Sequence, residues 1–534
     1  MASRLLILLF IGVQLQGFAQ QDAWVYFSDK EQVETSLANP TTILSQKAIE
    51  RKQRFGIKID ARDVPVNEAY ITTLKALDDV LVLAKSKWFN AVHVRGSETA
   101  IRALLNFSFV SEIVFADKTL ASTAKIVSTG MFFKQTSTSE FVYGDTANQV
   151  EMIQVNALHE NNFTGTGITV AILDAGFPNV NTISGFQNLR THNNILGVYD
   201  FVARETDVYD NTKDEHGTLV LSTMAGYIEN TFVGTAPDAS YYLFITEDTN
   251  AENPLEESLW VEAAERADSL GVDIINSSLG YKSFDNPNYD YSNEDLDGKT
   301  AFITQGANIA AEKGILVVTS AGNSGTSGVG APADSEAVFS IGAVDASGEY
   351  AYFSSQGSAI QPSIKPDVTA QGLGSVVINK TNQIETVNGT SLSAPILAGG
   401  LACLWQALPE LSSTALMELV RASSSQYNNP DYLLGYGIPN LATAYNNGIL
   451  SVSDVTTGDK LSMYPNPTQN HVFFNTTLNG SDLHIKVFDV LGKCILTETL
   501  ETNESLDVSV LKNGIYLLQI STRNRTVTKK LIKN

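Results

Sequence analysis

Apolar positions fall into three regimes along the 534-residue chain. Over residues 20–118, short apolar runs predict strands at Trp24–Phe27, Val80–Leu83, Ala91–Val94 and Glu112–Phe115, with helices at Asn67–Leu77 and Glu98–Leu105. That order is β-α-β-β-α-β, a small α+β unit. Continuous apolar strands then alternate with amphipathic helices. The strands are Ile168–Leu173, Ser240–Ile245, Val272–Asn276 and Ile315–Val318; the helices are Gly217–Tyr227, Glu256–Leu270, Thr300–Lys313 and Pro395–Leu408. Strands apolar on both faces predict a parallel sheet covered by helices on both sides, an α/β domain. Beyond residue 459 the period drops to two. Short strands at Val472–Phe474, His484–Phe488, Ile515–Ile520 and Thr526–Ile532 are separated by turn signals at Asn479-Gly480, Leu491–Lys493 and Lys512–Gly514. A small β-sandwich is expected there.

The ends and joints refine this picture. Arg4, the apolar run Leu5–Val13 and Gly17-Phe18-Ala19 have the layout of a secretory signal peptide cut after Ala19. No other run approaches the ~18 apolar residues that a membrane span needs. The expected divisions are a signal peptide at 1–19, a propeptide-like domain at 20–118, the α/β domain at 119–449 and the β domain at 459–534. Thr119–Ser139, rich in Ser and Thr, is expected to be a linker or extended segment; it has room for a processing cut, whose place the sequence does not fix. A basic stretch, Arg51-Lys52-Gln53-Arg54, interrupts the first domain between its first strand and first helix.

Charge narrows the partners. With 35 basic and 58 acidic residues the net charge is −23, which disfavours a polyanionic partner such as nucleic acid. Two cysteines, Cys403 and Cys494, exclude a disulfide scaffold and a cysteine zinc site, and two free thiols are expected. His159-Glu160 opens like a zinc-peptidase helix, but Phe163 stands where the second histidine belongs. Gly165-Thr166-Gly167 continues to Val170, so no dinucleotide fingerprint is present.

Three residues carry positive signals. Asp174 follows an apolar strand, where parallel sheets place ligands. His216 opens a helix beside Gly217 and Thr218, small neighbours that leave its ring accessible. Ser391, within Gly389-Thr390-Ser391-Leu392-Ser393-Ala394-Pro395, opens another. Singly each has a structural reading: a turn carboxylate, a packed imidazole, a helix cap. Together, in the order Asp, His, Ser, they match one chain order of serine hydrolases.

At these residues the chain resembles the subtilisin family of serine peptidases. Leu173–Gly176, His216–Thr218, Ser320-Ala321-Gly322-Asn323 and Gly389–Pro395 match its aspartate, histidine, asparagine and serine blocks in order. The resemblance implies a subtilisin-like sheet and an Asp174–His216–Ser391 triad acting through an acyl-enzyme, with Asn323 in the oxyanion hole. It also implies substrate pairing with Ser278-Leu279-Gly280, and a first specificity pocket walled by Ser320, Ala321 and Gly322. No acidic residue in those segments marks a basic-residue pocket, so apolar or broadly tolerated side chains are expected. No cofactor is required by this chemistry. The acidic insertion Lys282–Lys299 has the composition either of a structural calcium loop or of a solvated surface, and no ligands are assigned.

The first domain resembles the inhibitory propeptide of that family, which implies a zymogen. The last resembles the sorting domain of the type IX secretion system through Tyr464–Pro467, Val490–Lys493, Asn513–Tyr516 and Lys529–Lys533. Expected partners are thus protein or peptide substrates, the chain's own propeptide and the secretion machinery, with no nucleic acid and no transmembrane span. The expected place is outside the cell or on its surface. The rival reading is a catalytically silent surface protein binding peptides or glycans on the same scaffold.

Overall fold

A computed structural model describes residues 20–120, 141–452, 462–475, 483–489, 493–500, 505–521 and 526–534. The expected signal peptide, most of the linker and the turns at 479–480 and 491–492 lie outside the described residues. The chain divides into two compact units, Met1–Ala444 and Tyr445–Asn534.

The first unit begins with β1 (Gln20–Phe27). Then follow α1 (Gln46–Arg54), α2 (Glu68–Lys75), β2 (Val80–Ser86), β3 (Ala91–Ser97), α3 (Glu98–Ala103) and β4 (Val110–Phe115). Antiparallel pairing gives the order β2-β3-β1-β4, over a small core that includes Val25, Ile71, Val94 and Ile101. The β-α-β-β-α-β order is present, with α1 and a shorter helix at Val33–Ala38 as additions. Only one apolar turn, Ala48-Ile49, lies among the charges of α1, so no helical period stands out there.

The same unit continues with β5 (Thr169–Asp174), β6 (Ile195–Asp200), α4 (His216–Ala225), β7 (Ser240–Ile245), α5 (Leu255–Leu270) and β8 (Ile274–Ser277). Further along come α6 (Phe302–Glu312), β9 (Leu316–Ser320), β10 (Phe339–Val344), β11 (Val368–Gln371) and α7 (Thr390–Ala407), and another helix, Ser413–Ala422, follows in the same unit. Seven parallel strands run β11-β10-β9-β8-β5-β7-β6. The chain leaves β5 toward β7 and β6, then crosses to its other side at β8. That reversal opens a crevice at the carboxyl ends of β5 and β8. α7 is apolar all round because it is buried along nearly its whole length. Cys403, on α7, is a buried free thiol bonded to the Thr235 carbonyl at 3.1 Å; Cys494 is free and exposed.

The β1-β3-β2 face lies on α5 and α6. Trp24 stacks on Phe302 at 4.3 Å, and its indole N–H donates to Ser258 at 2.8 Å. The Glu265 carboxylate accepts the Lys87 and Trp88 amides at 2.9 and 2.8 Å, and also the Ser86 hydroxyl.

The second unit holds β12 (Ser462–Tyr464), β13 (His471–Asn475), β14 (Leu483–Phe488), β15 (Cys494–Leu500), β16 (Ser505–Asp507), β17 (Gly514–Ser521) and β18 (Thr526–Lys533). Sheets β12-β13-β16 and β15-β14-β17-β18 share one core, which includes Val472, Ile485, Val487, Leu506, Leu518 and Leu531. Among the described residues no helix is long and apolar enough to cross a membrane.

Candidate active site

Three neighbouring strand ends build the site. Asp174 is the last residue of β5 and fully buried. β8 runs beside β5 with Ser277 opposite Leu173, so Ser278 emerges next to Asp174. β9 lies beyond β8 and ends at Ser320, leading into Ala321, Gly322 and Asn323.

His216 is the first residue of α4, its backbone N–H donating to Asp214 at 2.8 Å. Its ring is half-buried, and its Nδ1 lies 2.8 Å from Asp174 Oδ1. The second oxygen of Asp174 is buried and without a hydrogen-bond partner among the described residues. The Asp174 charge, working against burial, raises the imidazole pKa from 6.5 to about 9. Close backbone approach sets this geometry. A Cβ on Gly217 would stand 2.4 Å from the Gly176 carbonyl, so the helix start reaches the β5 end only with glycine there.

Ser391 is the second residue of α7, not a residue ahead of it: the helix begins five residues before the expected Pro395. Pro395 has no N–H to donate to the carbonyl four residues back, which is that of Ser391. The Ser278 hydroxyl fills the vacancy, donating to the Ser391 carbonyl at 2.8 Å. Ser391 is thereby tied to the strand end beside Asp174, and α7 packs against α4, which carries His216. Among the described residues no hydrogen bond joins the Ser391 hydroxyl to the imidazole. Such links in unliganded sites often tighten only with substrate.

Asn323 is exposed, with its carbonyl oxygen held by the Thr390 amide and hydroxyl, both at 2.9 Å. That leaves its NH₂ as the uncommitted end. Gly322 has φ +102°, and its N–H donates to the Thr390 hydroxyl at 3.2 Å. The Thr319 hydroxyl reaches the Leu279 carbonyl at 3.4 Å, linking the Ser278–Gly280 and Ser320–Gly322 segments as two walls.

A carboxylate outside those walls also borders the site. Glu247 follows β7, whose next residue, Thr246, donates its N–H to the Asp174 carbonyl at 3.1 Å. Glu247 accepts the hydroxyl of Tyr281, the residue after Gly280, and burial raises its pKa. Its signal was available: like Asp174, it follows an apolar strand at the carboxyl end of the sheet.

The acidic insertion 282–299 is occupied by the chain's own donors. Asp290 accepts the Phe284 amide, Asp295 the Ser292 amide and Lys118, and Asp297 the Lys299 and Thr300 amides. Lys118 also lies 3.7 Å from the Tyr291 ring centre. Among the described residues no three His, Cys, Asp or Glu side chains gather as a metal site.

Comparison with known proteins finds three family matches along the chain. Residues 165–437 match the subtilase family, 22–130 a peptidase S8 propeptide domain of Bacteroidota, and 462–534 a secretion system C-terminal sorting domain. Subtilisin DY of Bacillus licheniformis is 31% identical over 301 residues, covering 55% of this chain and 97% of the relative. Subtilisin E of Bacillus subtilis (strain 168) is 30% identical over 300 residues, 55% of this chain and 70% of the relative. Subtilisin BL of Lederbergia lenta is 28% identical over 296 residues, with 55% and 97% covered.

Proposed function

Because the chain belongs to the subtilase family and is a secreted subtilisin-like serine endopeptidase with a propeptide and a sorting domain, we propose the following division of labour at its site. Ser391 Oγ attacks the scissile carbonyl while His216 takes its proton. Asp174 holds the imidazole by Nδ1 and stabilises the imidazolium. Negative charge on the former carbonyl oxygen is met by the Asn323 NH₂ and the Ser391 backbone N–H. His216 returns the proton to the leaving amine, and water then hydrolyses the acyl-enzyme by the same route. Substrate lies extended along Ser278–Gly280 as an added strand, with its first side chain between that wall and Ser320–Gly322. Neither wall carries a charge, which favours apolar or varied side chains. Residues 20–118 hold the enzyme inactive until processing, and the second unit delivers it to the secretion machinery.

The observation that supports this most is the 2.8 Å Nδ1–Oδ1 hydrogen bond at the sheet's crevice, on the strand end beside the one that anchors Ser391. The test is labelling of the processed protein by a fluorophosphonate probe. Wild type is expected to label and Ser391→Ala not to. A folded, processed wild type that stays unlabelled would instead favour a silent peptide-binding scaffold.

A further inference from the structure

Lys118 stands at the end of the N-terminal domain, just past β4, and its ammonium is held by the acidic peptidase loop 282–299. Nζ lies 2.6 Å from the Asp290 carbonyl, 3.2 Å from Asp295 Oδ2 and 3.7 Å from the centre of the Tyr291 ring. A carbonyl, a carboxylate and an aromatic face together suit a cationic side chain. Beside it, Asp117 accepts the Asn288 side-chain amide at 3.0 Å.

The peptidase builds this pocket with its own bonds. The buried Tyr291 hydroxyl donates to Glu257 of α5 at 2.9 Å and accepts the Phe302 amide of α6 at 3.1 Å. The Tyr291 amide donates to the Lys282 carbonyl at 2.8 Å. The Asp295 carboxylate accepts the Ser292 amide at 2.7 Å, and the Asp290 carboxylate accepts the Phe284 amide at 2.8 Å. None of these bonds uses the N-terminal domain, so departure of Lys118 leaves ring, carboxylate and carbonyl in place for another cation. The loop's five acidic residues against two basic ones add a field of the right sign.

The pocket also lies where a substrate passes. The wall Ser278–Gly280 begins at the nucleophile, where the Ser278 hydroxyl donates to the Ser391 carbonyl at 2.8 Å. Lys282, whose carbonyl holds Tyr291, stands beyond the other end of that wall, roughly 13 Å of extended chain from Ser278 at ~3.3 Å per residue. Lys118 precedes every bond of the joint at 119–139, so the matching side chain of a substrate stands ahead of the scissile bond.

We propose that the processed enzyme uses the Tyr291–Asp295 pocket to bind a basic side chain of its protein substrate, about four or more residues ahead of the bond it cuts. The proposal rests on the reading of the chain as a peptidase from which residues 20–118 are removed. It adds a class of substrate to that reading: chains with a lysine or arginine upstream of the cut, in addition to an apolar or varied side chain in the first pocket. Burial pushes the Lys118 ammonium below its ordinary pKa. Arginine, more weakly hydrated and flat enough to lie on the ring, is therefore the better occupant.

The test uses the secreted, processed enzyme and internally quenched peptides that share one apolar cleavage sequence. A single arginine replaces glutamine at each successive position ahead of the cut. At one position kcat/KM is expected to be about tenfold higher for arginine, through KM, with little difference elsewhere. Asp295→Asn keeps an acceptor for the Ser292 amide without the charge, and is expected to shrink that ratio to about twofold. Glu294→Gln, which removes the exposed carboxylate next to it, is expected to leave the ratio as it was. A flat profile along the peptide, or an equal loss in both variants, means that only the loop's overall charge is felt and overturns the pocket. Should Asp295→Asn fail to fold, the wild-type profile decides alone. Equal cleavage of arginine and glutamine peptides overturns this inference and leaves the peptidase reading standing; cleavage of no peptide overturns both.

Discussion

At the scale of single residues, the most consequential quantity is the basicity of His216. In the proposed mechanism this residue is the general base, which works only when neutral, and the Asp174 charge raises this imidazole to about 9. kcat/KM is therefore expected to climb with pH and level off only above about pH 9, as measured by initial rates on a peptide substrate. The same shift affects stability. The folded value lies above the reference of 6.5, so the His216–Asp174 contribution is fully present below pH 6.5 and fades as pH rises through about 9. Asp174→Asn should remove that pH-dependent component of the melting temperature and lower kcat by about 10⁴-fold. In the proposed mechanism the Asn323 NH₂ meets charge that exists only near the transition state, so Asn323→Ala is expected to lower kcat by about 10²–10³ with KM little changed. An equal loss in binding with kcat intact would contradict the assignment.

At the scale of elements, α7 combines a proline with a borrowed hydroxyl. Ser278→Ala strands the Ser391 carbonyl, which should cost about 1–3 kcal/mol of stability and lower kcat through a looser nucleophile. Adding Pro395→Ala restores an N–H four residues on, so the double variant is expected to melt higher than Ser278→Ala alone. Equal melting temperatures would refute the link. This coupling was not legible in the sequence: Pro395 read as a helix start, and only the fold shows that its missing donor is replaced by Ser278 from another strand. What was legible follows from periodicity and burial. β5, β7 and β9 are apolar, α5 is long and amphipathic, and each lies within about two residues of expectation. β6, β10 and β11 were not anticipated. β6 is only part-buried at the sheet edge, β10 (FSIGAV) carries Ser and Gly, and β11 (VTAQ) is short and half polar. The family was legible because its sequence blocks are local. Glu247 offered a local signal, its place after an apolar strand, but its relation to Tyr281 and Asp174 exists only across strands.

At the scale of the whole molecule, the three parts differ in how they depend on one another. The tail has its own core of Val472, Ile485, Leu506 and Leu518 and forms a separate unit. Truncation after residue 452 is expected to leave kcat/KM and melting of the peptidase unchanged while abolishing delivery outside the cell, measured by fractionation. The N-terminal domain is the opposite case: its sheet lies on α5 and α6, and Arg51 and Lys52 of α1 share buried charges with Asp268 of α5. Parallel sheets with distant pairings form slowly. An early-synthesised segment whose Lys47 reaches Thr169 and Asp273, at the starts of β5 and β8, is well placed to order them.

The two thiols give this molecule an internal clock. Cys494 is open to solvent, whereas Cys403 sits inside α7 with its ionisation suppressed by burial. Only a thiolate reacts with an alkylating reagent. Under native conditions iodoacetamide should therefore add one mass increment quickly, and the second only when the domain opens globally. The interval between them, read by mass spectrometry, reports the lifetime of the folded enzyme outside the cell without any attached probe.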